Sequence, residues 1–225
     1  MTTRSIATDT SNGALVSRRT LLAGSGALAA TLLLSAAVTQ AATDAVDPTD
    51  LHTAGLLPDL VLGHPDAPVT VVEYTSLTCG FCAKFHVEAL PEFTASHLDT
   101  GRARLVIREF PLDPRALAGF MLARSLGGDR ALAMIDLLFR RQAEWSRVQN
   151  ASTALLAIAQ HAGMTRESFT ASLSDRMLQA AIVDGKNRGQ SDFGVSKTPT
   201  FFIEGDRHVG TLSAAELGAV VDART

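Results

Sequence analysis

The chain has 225 residues, 46% of them hydrophobic and 19% charged, with a formal net charge of −3. That is enough apolar material for one domain with a sizeable core, and the acidic balance excludes a broad basic surface for nucleic acid. The basic residues are also scattered, Arg140-Arg141 being the only adjacent pair after residue 41, and no aromatic residues alternate with them as a base-stacking groove requires.

Arg18-Arg19 precede residues 21–38, a charge-free stretch built mainly from Ala, Leu, Gly and Ser, and small residues follow at Thr39-Gln40-Ala41. This pattern predicts an export signal spanning 1–41 and a mature protein in the periplasm or another extracytoplasmic space. Ser17-Arg18-Arg19-Thr20-Leu21-Leu22 resembles the twin-arginine signal pattern, although Leu21 stands where Phe is frequent and Ala23 where Lys is frequent. A general secretory signal is the alternative route. An uncleaved anchor is a third reading, since the apolar stretch approaches the ~20 residues of a membrane span. Gly24, Gly26 and the alanines weaken it, so no stable membrane span is expected after signal cleavage. Residues 42–58 carry Asp44, Asp47, Pro48 and Asp50 with little apolar content and read as a flexible lead-in.

Val69–Thr75 is a continuous apolar run with β-branched residues, which predicts a buried strand. A helix then opens at Thr78 or Cys79 and carries Phe81, Phe85, Val87 and Leu90, with Pro91 expected to kink it. Residues 103–110 read as a second strand, ended by Pro111. Asp113-Pro114 is a helix start by its chemistry, an acceptor side chain at the cap followed by a residue that needs no amide partner. From there to Asp192 the period is helical, with breaks at Gly127-Gly128, around residues 148–152 and at Gly163. Thr200–Ile203 and 207–210 flank Glu204-Gly205-Asp206, a hairpin signal. Ser213 caps a terminal helix running through Val221.

The only two cysteines lie in Cys79-Gly80-Phe81-Cys82. A disulfide within the chain must therefore join Cys79 to Cys82, and so short a loop restricts the unfolded chain little. A reversible redox pair is the better reading than a structural staple. A thiolate at a helix N-terminus meets unpaired backbone N–H groups and the positive end of the macrodipole, which lower its pKa. Cys79 is accordingly the expected nucleophile and Cys82, deeper in the helix, the resolving partner.

A strand, a Cys-x-x-Cys at a helix start, a long interval and then Thr198-Pro199-Thr200-Phe201-Phe202-Ile203 together resemble the thioredoxin-fold thiol oxidoreductases. With Phe110-Pro111-Leu112 ending the second strand and a helical block between the halves, the chain looks most like the bacterial DsbA-like disulfide oxidoreductases, over about residues 58–222. The resemblance implies an α/β protein, a thioredoxin fold with an inserted helical domain: a core of 59–112 and 193–225, and an insert of 113–192. It implies donation of the Cys79-Cys82 disulfide through a mixed disulfide, with no cofactor and no metal. Cysteine-containing exported proteins are the implied substrates, and a separate redox partner resets the pair.

It further implies a cis bond before Pro199, substrate pairing with the backbone at Thr198, and contact of Thr198 with the sulfurs. A trans proline at the start of a strand is the alternative. Glu73 stands where the family often has an acid, and there it would accept the Cys82 proton; an outward-facing Glu73 without a catalytic part is the competing reading. Gly80-Phe81 matches neither the Pro-His of typical strong oxidants nor the Gly-Pro of thioredoxins, so oxidant, isomerase and reductase roles all remain. Export, and the lack of a dimerisation domain ahead of the core, favour oxidant. A non-catalytic chaperone keeping the same fold is a second class. A metal-binding module using Cys79, Cys82 and His86 is a third, weakened because a closed zinc site needs four ligands. His86 is otherwise expected to be a half-exposed helix residue, and Trp145 is a candidate for the rim of the site.

Overall fold

The computed structural model describes residues 46–225. The expected signal, and the first four residues of the expected lead-in, lie outside the described residues. A five-stranded mixed sheet carries the fold in the order β1-β3-β2-β4-β5. Its strands are β1 (Leu60–Gly63), β2 (Val69–Thr75), β3 (Ala103–Glu109), β4 (Thr200–Ile203) and β5 (Asp206–Val209). β2 runs parallel to β3, with Val69 opposite Ala103 and Thr75 opposite Glu109, and antiparallel to β4, with Glu73 opposite Phe201. β1 and β5 close the two edges in antiparallel pairs.

Every residue of β2 is buried, as its unbroken apolar run requires of a strand covered on both sides. Side chains alternate across a strand, so the two covers are chemically distinct. Val69 and Val71 join the larger core with Leu105, Ile107, Phe201 and Ile203, beneath the helices that follow the cysteines. Val72 and Tyr74 join a smaller core with Leu51, Val106, Phe110, Phe193 and Phe202. Tyr74 meets Phe110 and Phe202 edge to face at centroid separations of 6.3 and 6.0 Å, and Arg108 donates to its hydroxyl at 3.2 Å.

The residues after β2 form one continuous helical stretch: α2 (Gly80–Lys84), a wide π turn (Phe85–Ala89), α3 (Leu90–Phe93) and a second π turn (Thr94–Leu98). Pro91, expected to kink this stretch, sits instead between the two widened turns. A π turn shifts the hydrogen-bond pattern by one residue and so absorbs a position that has no donor to offer. α4 (Pro114–Leu126), α5 (Gly128–Arg140), α6 (Gln142–Trp145), α7 (Ala151–His161), α8 (Arg166–Ser174) and α9 (Arg176–Ser191) then occupy the interval before β4, and α10 (Ala214–Asp222) ends the chain. Gly127, at φ 69°, makes the break between α4 and α5, a backbone conformation that L side chains rarely adopt. In α9, a Cβ on Gly189 would lie 2.7 Å from Tyr74 Cε1, so the bare backbone lets this helix close on the smaller core.

Two expectations need correction. The 46–58 stretch packs against the body rather than trailing from it: α1 (Pro48–His52) buries Leu51 completely, Val46 N–H donates to Gly205 O at 3.0 Å, and Arg188 donates to the carbonyls of Asp50 and Thr53. Its polar composition masked one fully inserted leucine. The edge strand β1 was also absent from the expectations, because four residues are too few to show a period. No helix among the described residues is long and apolar enough to cross a membrane.

Candidate active site

The cysteine loop leaves the C-terminal end of β2 and is fastened from three directions. Cys79 N–H donates to Ser76 O at 3.0 Å, and the Ser76 hydroxyl accepts from Leu112 N–H at 3.3 Å. Thr78 donates its hydroxyl to Asp113 Oδ2 at 2.6 Å, while Asp113 Oδ1 caps α4 through the N–H groups of Arg115 and Ala116. From α6, the Gln142 amide donates to Leu77 O at 2.8 Å and to Cys79 O at 3.0 Å. These bonds thus hold the loop from Ser76 to Cys79, with Ser76 and Gln142 meeting the Cys79 backbone itself.

Cys79 is the N-cap residue of α2, one position later than a Thr78 cap would place it, and its sulfur accepts the Cys82 N–H at 3.4 Å. The thiol also points at Thr198 O, 3.3 Å away. The Thr198-Pro199 peptide is cis, as expected, and Pro199 O accepts from Gly210 N–H at 2.9 Å, so the β5 end closes over this loop. The Thr198 hydroxyl oxygen is buried without a hydrogen-bond partner. Cys79 is partly exposed, Cys82 is fully buried, and Phe81 between them is 68% exposed.

The two sulfurs are driven apart electrostatically. Hydrogen bonding from the Cys82 thiol is the largest cause that lowers Cys79 to about 5; partial burial opposes it, and Thr198 and the N–H groups of Cys82 and Phe81 assist. Cys82 is pushed far upward, first by burial, then by its bond to the Cys79 sulfur and by the nearby charges of Glu73 and Cys79.

Glu73 is fully buried on the active-site side of β2, which removes the outward-facing alternative. Its Oε2 lies 2.9 Å from His86 Nε2, and its Oε1 is buried without a partner. His86 is 2% exposed rather than half-exposed, stacked on Phe139 at 4.1 Å and edge-on to Phe85. The helix face that carries Cys82 carries His86 one turn later, and that face lies on the sheet. The cysteines and His86, expected to share a helical face, form no cluster able to hold a metal among the described residues. Trp145 is not on the rim: it is completely buried, its indole N–H donating to Leu138 O at 2.9 Å. Sequence reasoning missed the Glu73-His86 contact and Gln142. The spacing of His86 from Cys82 held a signal for the first; nothing local marked the second.

The sheet order, the cysteine pair opening a helix and the cis-proline loop beside it define a thioredoxin-fold protein of the DsbA-like kind. The family described as Thioredoxin matches residues 56–223, and the chain belongs to that family. A Rickettsia bellii protein named as a protein-disulfide oxidoreductase is 31% identical over 162 residues, which cover 70% of this chain and 62% of that protein. The chain therefore spans about three-fifths of the length of that curated relative. The crystal structure of Wolbachia pipientis alpha-DsbA1 superposes with a TM-score of 0.69 at 29% identity, covering 75% of this chain and 92% of that one. BdbD from Bacillus subtilis shares the fold at a TM-score of 0.64 and 18% identity, covering 74% of this chain and 92% of that one.

Proposed function

We propose that the protein is an exported thiol:disulfide oxidoreductase that donates its Cys79-Cys82 disulfide to cysteine-containing proteins outside the cytoplasm. The observation that carries this reading is the split between the sulfurs: Cys79 partly exposed and lowered to about 5, Cys82 buried and raised. A substrate thiolate attacks Cys79 Sγ and forms a mixed disulfide, and Cys82 leaves. A second substrate thiolate then attacks the substrate sulfur, forming the substrate disulfide and expelling Cys79, which leaves readily because its thiolate is stabilised.

A thiolate near 5 favours the reduced pair at neutral pH by ~30 mV per pKa unit, the direction that makes an oxidant. In resetting, the Cys79 thiolate attacks a partner disulfide, and Cys82 then attacks Cys79 Sγ. Glu73, buried beside Cys82 with one unpartnered oxygen, takes the Cys82 proton in that step. The cis Thr198-Pro199 loop offers backbone groups to an extended substrate segment, and exposed Phe81 gives it an apolar contact. The domain boundaries proposed are a signal at 1–41, removed on export, a core of 59–112 and 193–225, and a helical insert of 113–192.

The test is trapping. Reduced Cys82→Ser protein treated with oxidised glutathione should accumulate a stable mixed disulfide at Cys79 by mass spectrometry, and Cys79→Ser should form none. A Cys79→Ser protein that still oxidises a dithiol peptide at the wild-type rate ends the proposal.

A further inference from the structure

A cavity of about 580 Å³ opens between the first π turn and α5, and neither cysteine nor the Thr198-Pro199 loop lines it. Leu90, Ile107 and Leu132 are among its apolar walls, Asp129, Asp136 and Arg140 stand on its α5 side, and His86 lines it. His86 is therefore bonded to Glu73 through Nε2 while touching a space open to solvent, and no residue of the described chain bonds its Nδ1. Glu73 in turn keeps Oε1 buried without a partner, and its charge acts on Cys82.

We propose that Glu73 and His86 form a two-residue proton relay that carries the Cys82 proton away from the cysteines and into this cavity. The proposal rests on the redox reading above. As the resetting step begins, the pair is a carboxylate and an imidazolium. Cys82 Sγ gives its proton to Glu73 Oε1; the electron pair left on sulfur attacks Cys79 Sγ, forms the Cys79-Cys82 bond and expels the partner thiolate. An equivalent proton leaves His86 Nδ1 for water in the cavity, while Nε2–H stays on Glu73 Oε2. The pair ends as a carboxylic acid and a neutral imidazole.

The physical reason for two residues is charge. A fully buried carboxylate alone would alternate between charged and neutral, and an uncompensated buried charge is costly. Coupled to His86, the pair is without net charge at both ends of the step. Substrate donation runs the relay backwards: Cys82 leaves as a thiolate and takes the Oε1 proton, and His86 regains one from the cavity. The ionisable groups around His86 are Glu73 from β2, Cys82 one turn before it, Asp99 at the far end of the cavity, and Asp129, Asp136 and Arg140 from α5.

The test compares His86→Gln, which retains an amide donor for Glu73 but cannot release a proton, with His86→Phe, which loses both. Release of the second glutathione after reduced enzyme meets oxidised glutathione is followed by stopped flow from pH 5 to 9. Thiolate absorbance at 240 nm and circular dichroism check that Cys79 and the fold are intact. A relay makes both variants about tenfold or more slower than wild type at pH 7, with the wild-type pH dependence flattened in both. Gln that restores the wild-type rate and pH profile while Phe does not would reduce His86 to a positioning residue and overturn the relay. So would two variants indistinguishable from wild type, or a flattened profile with unchanged rates. A wild-type protein that forms no mixed disulfide at all overturns the redox reading and the relay together; a normal wild type with normal variants overturns the relay alone.

Discussion

The N-terminal turn of α2 and the turn that follows it are neighbours in sequence and opposites in chemistry. At the first, Cys79 is partly exposed, accepts the Cys82 N–H and lies near solvent-facing Phe81. At the second, Cys82, Phe85 and His86 are buried against the sheet and face an acid. The difference teaches that one short helix can stabilise a thiolate at its tip and suppress one a single turn later. Burial sets the sign: hydrogen bonds outweigh desolvation at Cys79 and desolvation leads at Cys82.

The contrast breaks most severely at Glu73. Glu73→Gln keeps a side chain that can bond His86 but cannot accept a proton, and the resolution of a Cys79 mixed disulfide should slow by about 100-fold. An unchanged stopped-flow rate would show that the proton goes elsewhere.

The next effect is on stability. The Cys79 pKa falls from an ordinary 9.0 to about 5 on folding, so between those values the unfolded reduced chain holds a proton that the folded one has lost. Unfolding free energy of the reduced form therefore rises with pH across that window, and the contribution is lost as pH falls through 5. Each unit is worth ~1.4 kcal/mol at most, and solvent screening of a partly exposed sulfur leaves only part of it. The disulfide form has no such slope. Melting temperatures of the two forms from pH 4 to 8 should converge at the acid end, and a constant gap would contradict the assignment.

The smallest effect is expected at Phe81. Because it is 68% exposed, Phe81→Ala should shift stability by less than ~0.5 kcal/mol while raising KM for a dithiol peptide a few-fold. A melting temperature lowered by several degrees would mean the ring packs where the structure leaves it free.

The front of this site was legible from residues alone, because its signals are local. The apolar run of β2 announces a buried strand, and the cysteine after it falls at a helix start. The back was not, because its contacts depend on how elements pack. Glu73 and His86 are 13 positions apart and meet only when the helix settles on the sheet, and Gln142 reaches Cys79 across 63 positions. Trp145 was misplaced for the same reason: nothing local shows that α6 turns its indole inward. Leu51 and β1 were lost to brevity, since a five-residue helix and a four-residue strand owe their existence to tertiary contacts.

β2 places Glu73 and Tyr74 side by side in sequence and on opposite sides of the sheet, each with its own basic companion, His86 for the acid and Arg108 for the phenol. The strand thus works as a parity code, odd positions writing to one chamber and even positions to the other. A deletion of one residue ahead of Glu73 would leave the hydrophobicity of the run almost unchanged while exchanging the contents of the two chambers. The phenol would then take the place of Glu73, and the carboxylate would move into the smaller core at the position of Val72, opposite Val106. Such a chain could still build a sheet, yet its cysteines would face the wrong acid.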